Sequence, residues 1–283
     1  MTESDRSRPA RPPQDWSDLA PRIVSAVVLV GCALASAYLG GLAFIVLWTL
    51  AAAVVMQEWL RLTDVERCLP RTLPQIAGLV LIGILASMGF WWPALPVVIV
   101  MMGVAAVLAR EPRRAWDVGG VFYASSLLVS AVAARQSPSL GLAAIAWLFA
   151  VVWATDVFAY FAGKIIGGPK LWPRVSPKKT WSGFIGGAAG GVVAGMVTLW
   201  VAEVPMSLSV ACLSLAIAFA SEFGDLFESF MKRHFGVKDT GSIIPGHGGL
   251  MDRLDGFIVG AACAAMLGWL RSPGDIARGM LIW

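Results

Sequence analysis

Glu222-Phe-Gly-Asp225-Leu-Phe-Glu228-Ser229-Phe-Met-Lys232-Arg233-His234 is the stretch on which the fold turns. A short link carrying Lys238 and Asp239 joins it to Pro245-Gly246-His247-Gly248-Gly249-Leu-Met-Asp252-Arg253-Leu-Asp255. The segments on either side are almost purely apolar, and ionisable groups packed this densely beside lipid-compatible sequence are costly unless they perform a task. Glu222, Asp225 and Ser229 stand at i, i+3 and i+7, so one helix face presents them, with Glu228 beside it. Asp252 and Asp255 open another helix three residues apart. The Pro-Gly-His-Gly-Gly run between them is too flexible for a helix and suits a tight loop whose N–H groups converge on an anion.

Outward from this stretch the chain reads as membrane-embedded. It is 58% hydrophobic and 14% charged, with a mean hydropathy of +0.73 over 283 residues, too few charges to cover a soluble domain of that length. Thirty Gly and thirteen Trp fit the same class. The net charge of +4 carries no nucleic-acid signature. Cys32, Cys68, Cys212 and Cys263 are scattered without zinc or disulfide spacing and read as packing residues.

Nine apolar runs approach the ~20 residues that span a bilayer. They lie near 22–39, 42–60, 75–91, 94–110, 118–134, 141–162, 183–201, 206–230 and 257–270. Ala33, Ala35 and Ala37 resemble a signal-peptidase site, but the second run follows after only Gly40-Gly41, which favours a helical hairpin. With the N-terminus cytoplasmic, only Arg135, Arg271 and Arg278 fall outside, leaving nineteen of the 22 Lys and Arg inside. The expectation is an all-α polytopic membrane protein of about nine transmembrane helices, N-terminus cytoplasmic and C-terminus outside. Residues 1–21, with Pro9, Pro12 and Pro13 among Arg and Asp, read as a disordered cytoplasmic tail. Residues 22–135 read as an anchoring transmembrane half and 136–283 as a catalytic transmembrane half, because ionisable groups enter the helices only in the latter.

Asp156, Tyr160 and Lys164 share a face late in the sixth run, where an aspartate is expected to face protein or a water-filled cavity. Ser176-Pro177-Lys178-Lys179-Thr180 precedes a helix starting near Ser182, two lysines and two hydroxyls placed to cradle phosphate. Taken alone, Lys178-Lys179 beside a membrane is more often a topology signal or a lipid-headgroup contact. Carboxylates from two helix ends converge on a divalent metal, and hard oxygen ligands favour Mg²⁺ over zinc. Metal, bases and a glycine-rich loop are what phosphoryl or nucleotidyl transfer requires; the bland reading of the same groups is a salt-bridge network. His247 is expected to fix the loop or touch phosphate, since a phosphate nucleophile needs no base, and His234 is expected at the surface.

The run Ser229-Phe-Met-Lys232-Arg233, then Lys238-Asp239, then Ile244-Pro245-Gly246-His247-Gly248-Gly249-Leu-Met-Asp252-Arg253-Leu-Asp255 resembles the signature of the phosphatidate cytidylyltransferase (CDP-diacylglycerol synthase) family of bacteria. Ser176 to Trp181 and Trp153 to Gly163 are similar to that family in the same order, so the likeness covers the C-terminal half. Ser182 and Gly256 depart from it, standing where an acidic residue and Ser are expected. The resemblance implies that CTP and phosphatidate give CDP-diacylglycerol and pyrophosphate. It implies Mg²⁺ on Asp225 and Asp252, with a monovalent cation such as K⁺ sharing the site. It also implies a homodimer in the bacterial inner membrane, its polar cavity open to the cytoplasm. Lys232, Arg233, Lys238, Asp239, His247, Arg253 and Asp255 join Asp225 and Asp252 as expected catalytic groups. Asp156, Ser176, Lys178, Lys179, Thr180, Ser229, Gly248 and Gly249 are expected to bind substrate. A CTP-dependent kinase or transferase acting on a polyprenol is the nearest alternative. An ion transporter would instead spread its acids across the membrane depth.

Overall fold

A chain this apolar has one local solution open to it, because lipid offers no hydrogen bonds and a helix satisfies its own backbone. The computed structural model describes residues 19–63, 69–89, 92–109, 111–241, 243–244 and 248–283. Its long helices are α1 (Leu19–Leu39), α2 (Gly41–Thr63), α3 (Leu69–Ser87), α4 (Ala94–Leu108), α5 (Arg114–Arg135), α6 (Gly141–Ile165), α7 (Trp181–Val201), α8 (Leu208–His234) and α9 (Met251–Arg271). A short α10 (Ile276–Leu281) closes the chain. Among the described residues six helices, α2 and α5 to α9, are long and apolar enough to cross a membrane, so the chain is a polytopic membrane protein. The apolar stretches Ile23–Leu39, Arg71–Ser87 and Ala94–Leu108 are shorter. Residues 1–18 of the expected tail lie outside the described residues, and α1 begins at Leu19, three residues before the run expected from 22.

One element departs from a purely helical expectation. Strands β1 (Lys170–Trp172) and β2 (Ser176–Thr180) form an antiparallel hairpin with Lys170 opposite Thr180 and Trp172 opposite Ser176. Gly167 and Gly168, both at positive φ, end the helical path after α6. Ladder bonds then satisfy backbone that the next helix has not yet claimed.

Helices α6 and α7 pack backbone to backbone, since α7 turns a face of glycines towards α6. A Cβ at Gly187 would sit 2.7 Å from the Thr155 carbonyl oxygen, and one at Gly191 2.3 Å from Thr155 Oγ1. Small residues at such a seam let two membrane helices gain dispersion energy that lipid cannot match. The α5 helix is the most enclosed span and packs on α2, α4 and α9. Around it Trp59 Nε1 donates to the Trp116 carbonyl at 2.8 Å, and Trp147 Nε1 donates to Ser214 Oγ at 3.0 Å. Both indoles are buried, and both polar tips are satisfied. Large apolar side chains such as Val27, Val100, Val193 and Trp200 are exposed on the flanks, as a lipid-facing surface requires.

Packing brings the ends of α2, α6 and α8 to the starts of α7 and α9, and the ionisable groups gather there. Arg135 Nε donates to the Ala37 carbonyl at 2.7 Å, and Ser137 Oγ to Asp275 Oδ2 at 2.8 Å, in a separate cluster.

Candidate active site

The site is assembled from four helix ends, those of α6, α7, α8 and α9, and the hairpin. Thr180 ends β2 in extended conformation, and its hydroxyl accepts from Gly183 N at 3.1 Å, capping α7. Ser182 Oγ donates to the Gly167 carbonyl and sits 3.0 Å from Thr180 Oγ1, tying the loop after α6 to the start of α7. With the hairpin so anchored, Lys179 reaches α8: its Nζ is 2.7 Å from Glu222 Oε2 and 2.9 Å from Asp225 Oδ2. Burial disfavours the ammonium, but the charges of Asp225 and Glu222 outweigh it and hold the Lys179 pKa above the ordinary lysine value.

One turn further along α8, Lys232 Nζ lies 2.6 Å from Glu228 Oε2 and 2.9 Å from Asp252 Oδ1. The other Asp252 oxygen accepts from Gly249 N at 2.8 Å and Thr240 N at 3.0 Å, so the carboxylate pins the loop that precedes α9. Helices α8 and α9 meet at Gly224, where a Cβ would come within 2.5 Å of the Asp255 carbonyl oxygen. That close approach sets Asp225, Glu228 and Asp255 together, each offering an oxygen within 4.8 Å of the others. Glu228 Oε1 is buried and has no hydrogen-bond partner among the described residues. An orphaned buried carboxylate oxygen beside two others could serve a hard cation as a ligand.

These groups line a cavity of about 610 Å³. Among the described residues its wall carries seven carboxylates (Asp156, Glu222, Asp225, Glu228, Asp239, Asp252, Asp255) and five cationic side chains (Lys164, Lys178, Lys179, Lys232, Arg253). A lining with that acidic excess repels polyanions unless a metal accompanies them. Ser, Cys and His are absent from the described lining. A second cavity of about 410 Å³, walled by apolar residues of α1, α2, α6 and α9, also includes Arg253.

The profile of the cytidylyltransferase family matches residues 20–270. The chain belongs to that family. A phosphatidate cytidylyltransferase of Brucella abortus biovar 1 (strain 9-941) is 38% identical over 263 residues, 92% of this chain and 97% of that protein. The protein of the same name from Staphylococcus aureus (strain COL) is 44% identical over 124 residues, 44% of this chain and 48% of that protein.

In this chain the expected site residues divide in two. Asp156, Lys178, Lys179, Thr180, Asp225, Lys232, Asp239, Asp252, Arg253 and Asp255 share the cavity wall. Ser229 stands just behind, its Oγ donating to Asp225 Oδ1 at 3.4 Å. Gly248, at φ +84°, bridges to Ile244, and Gly249 holds Asp252 as described. Arg233 and Lys238 are exposed outside the lining, and Ser176 lies in β2 opposite Trp172. His247 falls outside the described residues. His234 is exposed with its ring 5.2 Å from Trp116, the surface position expected of it. Two charged residues of the wall have no role in the sequence expectation beyond their helix position: Glu228, a neighbour of the acidic face, and Lys164, a face-mate of Asp156. The spacing of Glu228 to both Asp225 (i, i+3) and Lys232 (i, i+4) is the available signal. Glu222, expected with Asp225 among the converging carboxylates, grips Lys179. Glu58, a lone acid in an otherwise apolar run, lies outside the wall.

Proposed function

We propose that this protein transfers the cytidylyl group of CTP to phosphatidate, giving CDP-diacylglycerol and pyrophosphate. The observation that carries the reading is the carboxylate trio Asp225, Glu228 and Asp255, flanked by Lys179 and Lys232, at one end of a membrane bundle. Asp225, Asp255 and Glu228 would hold Mg²⁺, with Asp252 and its Lys232 partner beside them and K⁺ as a second cation. Bound there, Mg²⁺ would neutralise the triphosphate and the departing pyrophosphate. Lys178, Arg253 and Lys164 bind the remaining phosphate charge. A phosphatidate oxygen forms the new bond to the α-phosphorus of CTP, and the bond from that phosphorus to the pyrophosphate oxygen breaks. The phosphate monoester is an adequate nucleophile, and the described lining offers no Ser, Cys or His to form a covalent intermediate. The apolar cavity that shares Arg253 suits the acyl chains, leaving the headgroup at the polar site.

The direct test is purified protein with phosphatidate and CTP labelled at the α- or the γ-phosphate. Label from the α-position is expected in the lipid, and chelation of divalent metal is expected to stop it. Label entering lipid from the γ-position would establish a lipid kinase instead.

The finer topology belongs to the same proposal: nine crossings, N-terminus in the cytoplasm, C-terminus outside, and a homodimer in the bacterial inner membrane. The lopsided distribution of Lys and Arg supports the orientation, and the family resemblance supports the dimer. After removal of the native cysteines, Arg174→Cys in the hairpin is expected to resist a membrane-impermeant thiol reagent in intact cells. Modification from outside would reverse the orientation and the route by which CTP arrives.

A further inference from the structure

Helix α9 begins without a cap of its own. Leu250 occupies the N-cap position and has no side-chain acceptor, so the first N–H groups of α9 need partners from elsewhere. They find them in α2, 192 residues earlier in the chain. Glu58 Oε1 accepts from Leu250 N at 3.0 Å, and Glu58 Oε2 accepts from Met251 N at 2.7 Å. The side chain is fully buried (0% exposed), and it is not part of the reaction cavity wall. Its charge is held by those two N–H groups and by the positive end of the α9 dipole.

The loop before α9 closes around this carboxylate with bare backbone. A Cβ at Gly241 would lie 2.5 Å from Glu58 Oε1, and one at Gly249 2.8 Å from Glu58 Oε2. Gly249 N in turn donates to Asp252, and Thr240 N does the same. The residue that follows the capped pair is therefore Asp252, and Asp255 comes three residues later. Two carboxylates of the polar cavity are placed by a third that never reaches it.

We propose that Glu58 is a positioning residue, which caps α9 from α2 and thereby holds Asp252 and Asp255 at the spacing that the metal and the phosphates require. The inference rests on the cytidylyl-transfer reading for its kinetic consequence and on geometry alone for its effect on metal binding. It also assigns the N-terminal half of the chain a part in the reaction centre.

The test uses the full chain, purified in detergent. Glu58→Gln keeps the volume but turns an amide NH₂ towards a backbone N–H, which one oxygen cannot repair. Glu58→Asp keeps the charge and withdraws it by one methylene, about 1.5 Å. Removing the outer support of a metal site typically costs about 10- to 100-fold in affinity or rate. Glu58→Gln is therefore expected to lower kcat per folded molecule by at least about tenfold, with KM for CTP changed far less. Its Mn²⁺ affinity, read by electron paramagnetic resonance without substrates, is expected to weaken by about the same factor. Glu58→Asp is expected to fall between Gln and wild type, and it carries the test if the Gln variant does not accumulate. A folded variant of either kind with kcat and Mn²⁺ affinity within about twofold of wild type would overturn the proposal. Wild-type protein that binds Mn²⁺ in a Glu58-dependent way yet makes no cytidylyl lipid would overturn the assigned reaction and leave the positioning role standing.

Discussion

Asp225→Asn is expected to lower cytidylyl transfer by about 10²- to 10³-fold, the scale on which a group stabilising developing charge is usually missed. The reasoning starts from what the substitution leaves alone. Asparagine keeps the volume of aspartate, and Gly224, which seats α8 against α9, is untouched. Lys179 keeps its 2.7 Å contact with Glu222 when the 2.9 Å contact with Asp225 is neutralised, so the hairpin stays anchored. The change falls on the trio formed with Glu228 and Asp255, which loses one of its charged oxygens. A neutral amide oxygen is a poorer ligand for Mg²⁺ than a carboxylate, and the amide NH₂ repels the cation. The loss is expected in kcat and in the Mg²⁺ concentration for half-maximal rate, with the thermal midpoint in detergent close to wild type. Radiolabelled CTP incorporation across a Mg²⁺ series gives both numbers. Turnover near wild type at ordinary Mg²⁺ would remove Asp225 from the metal site.

Much of this arrangement was legible in the residues. Helix periodicity put Glu222, Asp225 and Ser229 on one face, and α8 presents them so. The Lys178-Lys179-Thr180 run ahead of a helix became the N-cap of α7, because Thr at that place has one good use for its hydroxyl. What sequence could not supply was partnership across helices. Lys179 reads as a phosphate ligand until Glu222 and Asp225 are seen to grip it. Asp252, expected with Asp225 on the metal, directs its oxygens to Lys232 and two backbone N–H groups. Glu58 was silent because its partners are backbone groups, which leave no trace in side-chain spacing. The hairpin after α6 was missed because three- and five-residue strands carry too little alternation to be read.

Lys232→Met is expected to cost both stability and activity, and by separable routes. Lys232 touches Glu228 and Asp252 together, at 2.6 and 2.9 Å. Glu228 is only 2% exposed, so removing the ammonium strands its carboxylate in a poorly solvated place beside the like charge of Asp252. Breaking a buried pair by deleting one partner costs about 3–5 kcal/mol, far more than the ~0–1 kcal/mol of an exposed pair. A large fall in thermal midpoint is therefore expected for the purified variant. The double variant Lys232→Met with Glu228→Gln removes the stranded charge and is expected to regain much of that midpoint. Activity is expected to stay low in the double variant, because the trio has lost a carboxylate and the Asp252 side chain its cationic partner. Arg233→Ala and Lys238→Ala provide the contrast, since both side chains are exposed and lie outside the cavity wall. Each is expected to change the midpoint little and turnover far less than Lys232→Met. A Lys232→Met protein as stable as wild type would mean that the three groups are solvated like a surface pair. Full activity in the double variant would show that neither Lys232 nor Glu228 takes part in the reaction, which would leave Asp225 and Asp255 to hold the metal without them.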